Sequence, residues 1–347
     1  MARIRCDIRL FSRSRYISQI VTGYIMLHRQ RVIDLNILYL PDEQKNYPVV
    51  IEVLVNRIVK ITYDICDGYN FDRDKIEQYL STVDFYFKRS YDPALHSDFR
   101  YKERIFPMGF YYNLTTKRNI IDSLRYATPR LAASGVVKKA LGLYYFEKFE
   151  DIPQNKKNIK VLFNVRLWDP DDDDVRHSKE LIGEREEINQ MRIDCIDKLK
   201  CALGNRFVGG IMATDYAKRV RPDLLLNGLT VHRLYFMKLI KDADICIATT
   251  GLHRSNGGKL AEYIAASKSI VSERLHYQVP GDFSKDKNYL EFDTADKCVE
   301  NTTRLIEDRK LALEMKIENY LYYHNYLRPD RLVFNTLAVA MEHAEQF

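Results

Sequence analysis

The order of hydrophobic periods in the second half limits this chain more than any other feature. Short apolar runs alternate there with longer stretches of helical period. Residues 159–165 (IKVLFNV) read as a strand, 184–203 as a helix, 207–212 as a strand, 230–240 as a helix and 244–248 as a short apolar strand. A helix over 259–266, a strand over 269–272 and helices over 296–308 and 311–326 continue the series. Apolar strands each followed by a helix predict an α/β fold, a mostly parallel sheet covered by helices. The first half shows the same alternation less regularly. Strands are expected at 4–10, 34–40, 83–87 and 105–110, with helices at 14–29 and from 72, and a helix-rich stretch over 119–143. The β-branched runs 49–55 and 58–63 meet at Asn56-Arg57, a tight turn between strands. The polar stretch EKFEDIPQNKKN, residues 147–158, marks a boundary, so domains are expected over 1–153 and 154–325, with a last helical segment over 326–347.

A formal charge of +6, from 54 Lys and Arg against 48 Asp and Glu, is too dilute over 347 residues for a duplex-binding surface, so no nucleic-acid partner is expected. A small polyanionic ligand or peripheral association with an anionic membrane face fits that charge. No run approaches the ~18 apolar residues of a membrane span, and the start MARIRCDIRLFSRSR carries charges where a signal peptide is apolar. The expected location is the cytoplasm, with the inner face of the membrane kept open. The six cysteines are scattered without a CxxC pair and read as core residues. The chain lacks GxSxG, HExxH, P-loop and GxGxxG patterns, and its eight histidines form no i, i+4 pair. Hydrolase, protease, kinase and dehydrogenase chemistry is therefore not expected.

In open parallel sheets ligands bind at the carboxyl ends of strands. The sharpest such loop follows the strand DICIA and runs TTGLHRSNGGKLAEYIAASKSIVS. Free amides at the start of its helix, with the helix dipole, make a site for a pyrophosphate. Gly257 and Gly258 let a ligand approach the backbone, Lys259 adds a charge, and Glu262 offers a carboxylate to a ribose diol one turn later. The alternative is a loop whose glycines only turn the chain. A second loop carries Arg166, whose fork suits a diphosphate or pairs with the acidic run beside it. That run, Asp169, Asp171, Asp172, Asp173 and Asp174, reads mainly as a solvated loop; its rival reading is a metal site of the kind GT-A enzymes use. In the first half, Asp67 follows a strand where it could take a proton from a hydroxyl or cap a turn, and Lys88, Arg89 and Gly109-Phe110-Tyr111 are further strand-end candidates for acceptor contacts.

The passage from Ala243 through Gly257-Gly258-Lys259 to Glu273 resembles the donor-binding region of GT-B glycosyltransferases of the group 1 class, family 4-like. The resemblance covers roughly 159–327. It implies two Rossmann-like domains around an interdomain cleft, a nucleotide diphosphate sugar donor in the second domain, a saccharide or lipid-linked acceptor in the first, and a last segment packing back toward the first. It implies transfer of a sugar, a hexose being the expected one, for a cell-surface glycan or polysaccharide, with no required cofactor or metal. The donor contacts it implies are Arg166, Gly251, Leu252, Asn256, Gly257, Gly258, Lys259 and Glu262. Lys259 meets the leaving diphosphate, while Asp67 or His253 serves as base if the reaction inverts. The acceptor contacts are Lys88 and Arg89. Group 1 enzymes often carry a second glutamate eight positions before the helix glutamate, where this chain has Arg254, and a lysine five positions after the arginine, where it has Asp171. His253, Arg254 or Asn256 would then replace the missing sugar contact. A non-catalytic protein binding a sugar or nucleotide is the alternative.

Overall fold

The computed structural model describes residues 3–12, 14–40, 51–69, 72–122, 142, 144–175, 177–227 and 233–344. The chain divides into two compact α/β units, one of Met1–Lys148, Tyr277–Gly281 and Tyr323–Phe347, the other of Phe149–His276 and Asp282–Tyr322. Both units are thus discontinuous in sequence, unlike the expected division into 1–153 and 154–325.

The first unit holds β1 (Ile4–Leu10), β2 (Ile33–Tyr39), β3 (Ile51–Val55), β4 (Val59–Asp64), β5 (Phe85–Lys88) and β6 (Ile105–Pro107), ordered β2-β1-β3-β4-β5-β6. Only β3 runs against its neighbours, so the other five strands end at the same edge. The β3–β4 turn puts Asn56 and Arg57 at φ 49° and 63°, the left-handed geometry a two-residue hairpin requires. The side-chain oxygen of Asn56 accepts from the Arg5 amide at 2.9 Å, which ties the turn to β1. The strand expected over 105–110 stops at Pro107, since the chain then turns through Gly109 at φ 109°. Most of the helix-rich stretch expected over 119–143, and the first two residues of the strand expected over 49–55, lie outside the described residues.

Helix α1 (Ser18–Arg29) follows a single turn opened by Ser14, and α2 (Arg73–Leu80) is capped by Asp72, whose carboxylate accepts from two backbone amides. The final helix α9 (Pro329–Ala344) packs on α1. Tyr24 of α1, Tyr63 of β4 and Thr336 of α9 form a buried hydroxyl chain with links of 2.9 and 2.6 Å. Each hydroxyl thereby keeps a partner inside the core.

The second unit has five parallel strands, β7 (Val161–Val165), β8 (Phe207–Ile211), β9 (Ile245–Ala248), β10 (Ser269–Glu273) and β11 (Leu290–Phe292), ordered β11-β10-β9-β7-β8. Its helices are α3 (Lys179–Leu203), α4 (Asp215–Val220), α5 (Arg233–Asp242), α6 (Gly258–Ala265), α7 (Ala295–Glu307) and α8 (Arg309–Tyr322). Helix α3 begins five residues before the expected start because the Ser178 hydroxyl caps it. Residues 230–232, expected to open α5, lie outside the described residues. Helix α8 ends at Tyr322, and a wide turn over Tyr323–Leu327 leads to Pro329, where α9 starts. No helix of the described residues is long and apolar enough to cross a membrane.

Gly23 sits where α1 meets α9, and a β-carbon there would collide with the carbonyl oxygen of Pro329 and with the Val333 side chain. The obstacle includes backbone, which cannot rotate away. Gly23→Ala should therefore cost about 1–3 kcal/mol by overpacking and lower the midpoint in a thermal melt; an unchanged midpoint would show that α9 does not close on α1 at this residue.

Candidate functional site

The carboxyl edge of the second sheet is organised by the first half of α3. Arg185, Asn189 and Arg192 recur at spacings of four and three, on the same face as Ile196 and Leu199, and all five are buried. Arg185 Nη1 donates to the Asp169 carbonyl at 2.6 Å. Asn189 bonds both the amide and the carbonyl of Trp168, at 2.9 and 2.6 Å. Arg192 donates to the Arg166 carbonyl at 2.6 Å, to the Thr250 carbonyl at 2.8 Å and to the Thr249 hydroxyl at 3.1 Å. One guanidinium thus joins the loop after β7 to the loop after β9. Burial lowers the Arg192 pKa to about 10, with the Glu273 carboxylate opposing the shift. Glu273, at the end of β10, accepts from the amide and the hydroxyl of Thr250 at 2.6 and 3.0 Å.

The loop after β9 is closed by a bond from the Gly251 amide to the Ser255 carbonyl at 2.9 Å. Inside it the short turn Leu252–Arg254 holds His253 and Arg254 at φ 57° and 54°. Two successive non-glycine residues in that region store backbone strain, which concentrates at ligand-binding loops. Gly257 has φ −62° and precedes α6 without giving it a side-chain cap, so the first amides of the helix have no side-chain acceptor. The glycine is needed for close approach and not for a left-handed turn: a β-carbon on Gly257 would stand 3.1 Å from the Thr249 carbonyl oxygen. Gly258 is the first residue of the helix.

Lys259 extends from this helix start to donate to the carbonyl of Asn164 in β7, with its ammonium 5.2 Å from the Phe236 ring centre. Burial pulls its pKa down to about 8; the neighbouring Glu262 opposes the shift, while Arg192 and Arg233 add to it. Glu262 is buried, and its Oε1 accepts from Arg233 at 2.9 Å. Its Oε2 is buried with no hydrogen-bond partner among the described residues, as are Asn164 Oδ1 and Trp168 Nε1. Polar atoms buried in this way are costly unless a ligand or water completes them.

Arg166 leaves β7 exposed and lies over the Trp168 ring at 4.8 Å, and not against the acidic run beside it. The run is engaged by other arginines: Arg185 meets Asp172 at 3.1 Å and Asp174 at 2.9 Å, and Arg219 meets Asp169 at 3.1 Å. Among the described residues no group of three or more His, Cys, Asp or Glu side chains could hold a metal ion. Arg166, Gly251, Leu252, His253, Asn256, Gly257, Gly258, Lys259 and Glu262 therefore share the carboxyl edge of the second sheet, on or beside the loops after β7 and β9.

The remaining candidates belong to the first unit. Asp67, 41% exposed, pairs with Arg89 at 2.8 Å. Lys88 is buried in an ion pair with Asp64 at 2.9 Å, and Tyr86 donates to the same carboxylate oxygen at 2.6 Å. Lys88 is thus out of reach of an acceptor and serves the interior.

Sequence reading missed Arg192, Arg233, Asn164 and Glu273. For Arg192 a signal was present: a polar residue at core-facing spacing on an amphipathic helix needs a polar partner. Glu273 likewise ends a strand that is otherwise buried.

No family model matches the chain, and no curated protein matches it. Among solved structures, the chain is similar to the C-terminal domain of LpcC, a glycosyl transferase group 1 family protein from Francisella tularensis, at 14% identity over 53% of this chain and 97% of that one, with a TM-score of 0.34. It is similar to HepE from Anabaena, solved with UDP and glucose, at 11% identity over 91% of this chain and 89% of that one, with a TM-score of 0.39. It is also similar to UDP-GlcNAc 2-epimerase from Neisseria meningitidis, solved with UDP-GlcNAc, at 14% identity over 76% of this chain and 62% of that one, with a TM-score of 0.39.

Proposed function

We propose that the chain is a GT-B-type glycosyltransferase that moves a sugar from a nucleotide diphosphate donor to a hydroxyl of a saccharide or lipid-linked acceptor, at the cytoplasmic side of cell-surface glycan synthesis. The observation that carries this reading is the start of α6, where uncapped amides, the Lys259 ammonium and the unpartnered Glu262 Oε2 follow one another within a turn and a half. The diphosphate takes the amides of Gly258 and Lys259 and the ammonium beside them. Glu262, with one oxygen held by Arg233, turns the other to the ribose hydroxyls. As the sugar leaves, charge grows on the diphosphate, and fixed cations stabilise it without reorganising. Arg166 adds a second cation from the loop after β7. His253, on the strained loop, and Asp67, in the first unit, are the candidates for a base in an inverting reaction. The reading calls for no cofactor beyond the donor itself.

A second reading, binding without transfer, rests on Arg254 standing where group 1 enzymes often carry a glutamate. Turnover of a panel of nucleotide sugars separates the two. Hydrolysis or transfer of any donor supports the enzyme, and binding without turnover supports the alternative.

Glu262→Ala should weaken UDP binding by about 2–3 kcal/mol, since two hydroxyls lose an ionised acceptor; equal affinity in calorimetry would remove the ribose assignment. Lys259 gives a pH test. Its depressed pKa means the folded protein releases this proton before the unfolded chain does, so its contribution to stability is unfavourable below about pH 8 and improves as pH rises toward 10.5. Ligand binding follows the opposite course, because the diphosphate needs the charged form. UDP affinity should fall as pH rises through 8, Lys259→Ala should flatten that profile, and turnover should drop ~10²-fold or more. A pH profile identical in the variant would place the phosphates elsewhere.

A further inference from the structure

Three neighbouring strands of the second sheet, β10, β9 and β7, each lead to an arginine at the carboxyl edge. Arg166 is the first residue after β7, Arg274 the first after β10, and Arg254 lies in the loop after β9. Leu162 of β7 is level with Cys246 of β9, and Ser272 of β10 with Ala248. Counting on from these pairs puts Arg166 and Arg274 on either side of Thr250, each one strand spacing of about 4.8 Å away. All three arginines are exposed. Arg166 rests on the Trp168 ring at 4.8 Å, and among the described residues no hydrogen bond or ion pair engages the guanidinium of Arg254 or Arg274.

The backbone that carries Arg254 is fixed. Its φ of 54° is left-handed, its amide donates to Glu184 Oε1 at 3.2 Å, and the bond from the Gly251 amide to the Ser255 carbonyl at 2.9 Å closes the loop around it. Glu184 thereby holds the backbone and not the side chain. The other carboxylates of this edge are engaged elsewhere, Glu262 by Arg233 and Glu273 by Thr250. The start of α6, the Lys259 ammonium and Arg166 already answer the charge of a diphosphate. Two donor-only cations remain, one on the loop before that helix start and one on the next strand end.

We infer that the sugar of the donor is acidic, a hexuronate whose carboxylate is taken by Arg254 with Arg274 beside it. The inference rests on the glycosyltransferase reading and names the sugar class of its donor. Every residue involved belongs to the second unit. A carboxylate matches a guanidinium fork with two parallel bonds. A hydroxyl of a neutral hexose accepts one weaker bond and leaves the cation without a counter-charge. A glutamate at residue 254 would take sugar hydroxyls, whereas the arginine that stands there can only donate, which reverses the charge the loop selects.

The test uses the full chain and, for each of UDP, GDP and dTDP, the free nucleotide, a neutral hexose conjugate and the matching hexuronate conjugate, with binding followed by calorimetry at low salt. With the base that binds, the hexuronate conjugate should bind roughly tenfold or more tighter than the hexose conjugate, as a charge-assisted pair warrants. Arg254→Gln should remove most of that ratio, Arg254→Lys should keep part of it by retaining the charge without the fork, and Arg254→Gln combined with Arg274→Gln should abolish it. The ratio is read within each sample, so a loop that merely shifts would weaken both conjugates in proportion. Equal binding of the two conjugates by the unaltered protein, a ratio unchanged by Arg254→Gln, or a proportional loss of both conjugates would overturn the inference. A nucleotide that binds without any acidic preference overturns this inference alone, whereas absent binding of all three nucleotides overturns the glycosyltransferase reading and this inference with it.

Discussion

The guanidinium of Arg192 is the point on which the second unit's loops depend. A parallel sheet ends all its strands at one edge and leaves the loops there with carbonyls that need donors. Arg192 supplies three bonds to two of those loops from inside the protein, and Asn189 and Arg185 extend the same clamp along the loop after β7. Burying a guanidinium is costly, as its lowered pKa records. Charge-assisted bonds to fixed carbonyls offset that cost. Once the positions of Arg166 and Thr250 are set, the distance across which Lys259 must reach to Asn164 is set too, and α6 starts where its amides face the same edge.

The first unit meets the same problem with an ion pair. Lys88 and Asp64 end neighbouring parallel strands and neutralise each other within the core, with Tyr86 donating to the shared carboxylate. Removing one partner would leave the other charged and buried, so the pair is a commitment of the fold rather than an exchangeable contact. It holds the loops after β4 and β5 in register, and Arg89, one residue beyond Lys88, pairs with Asp67, three residues beyond Asp64. In both units a buried cation steadies the strand ends.

Much of this was legible in the sequence. The β9–α6 passage could be read because its parts differ so sharply in period: an apolar strand, a glycine-bearing loop, then a helix with Leu260, Tyr263 and Ile264 on its buried face. The β3–β4 hairpin could be read because the β-branched runs leave Asn56-Arg57 as their one break of two successive polar residues. Strand β11 and helix α4 could not, being three and six residues long, too short to show a period. Lys88 was misplaced for a related reason. Every residue of β5 is buried, so alternation assigns no outward face, and a charged residue at its end looks exposed until its partner on β4 is known. The clamp on α3 was hidden because a sequence shows which helix face is buried only through its apolar residues, and Arg185, Asn189 and Arg192 interrupt that stripe. Pairing across loops is set by tertiary structure, and one-dimensional spacing does not carry it.

We propose that the carboxyl edge of the second sheet holds a nucleoside diphosphate. The direct measurement is a crystal structure of the protein soaked with UDP, GDP or dTDP. The diphosphate is expected at the amides of Gly258 and Lys259, within reach of the Lys259 ammonium, with the ribose against Glu262 Oε2 and the base near the loop that follows Ala248. A nucleotide bound only among the strand ends of the first unit, or a Glu262 carboxylate that keeps Arg233 as its sole partner while the nucleotide sits elsewhere, would contradict it.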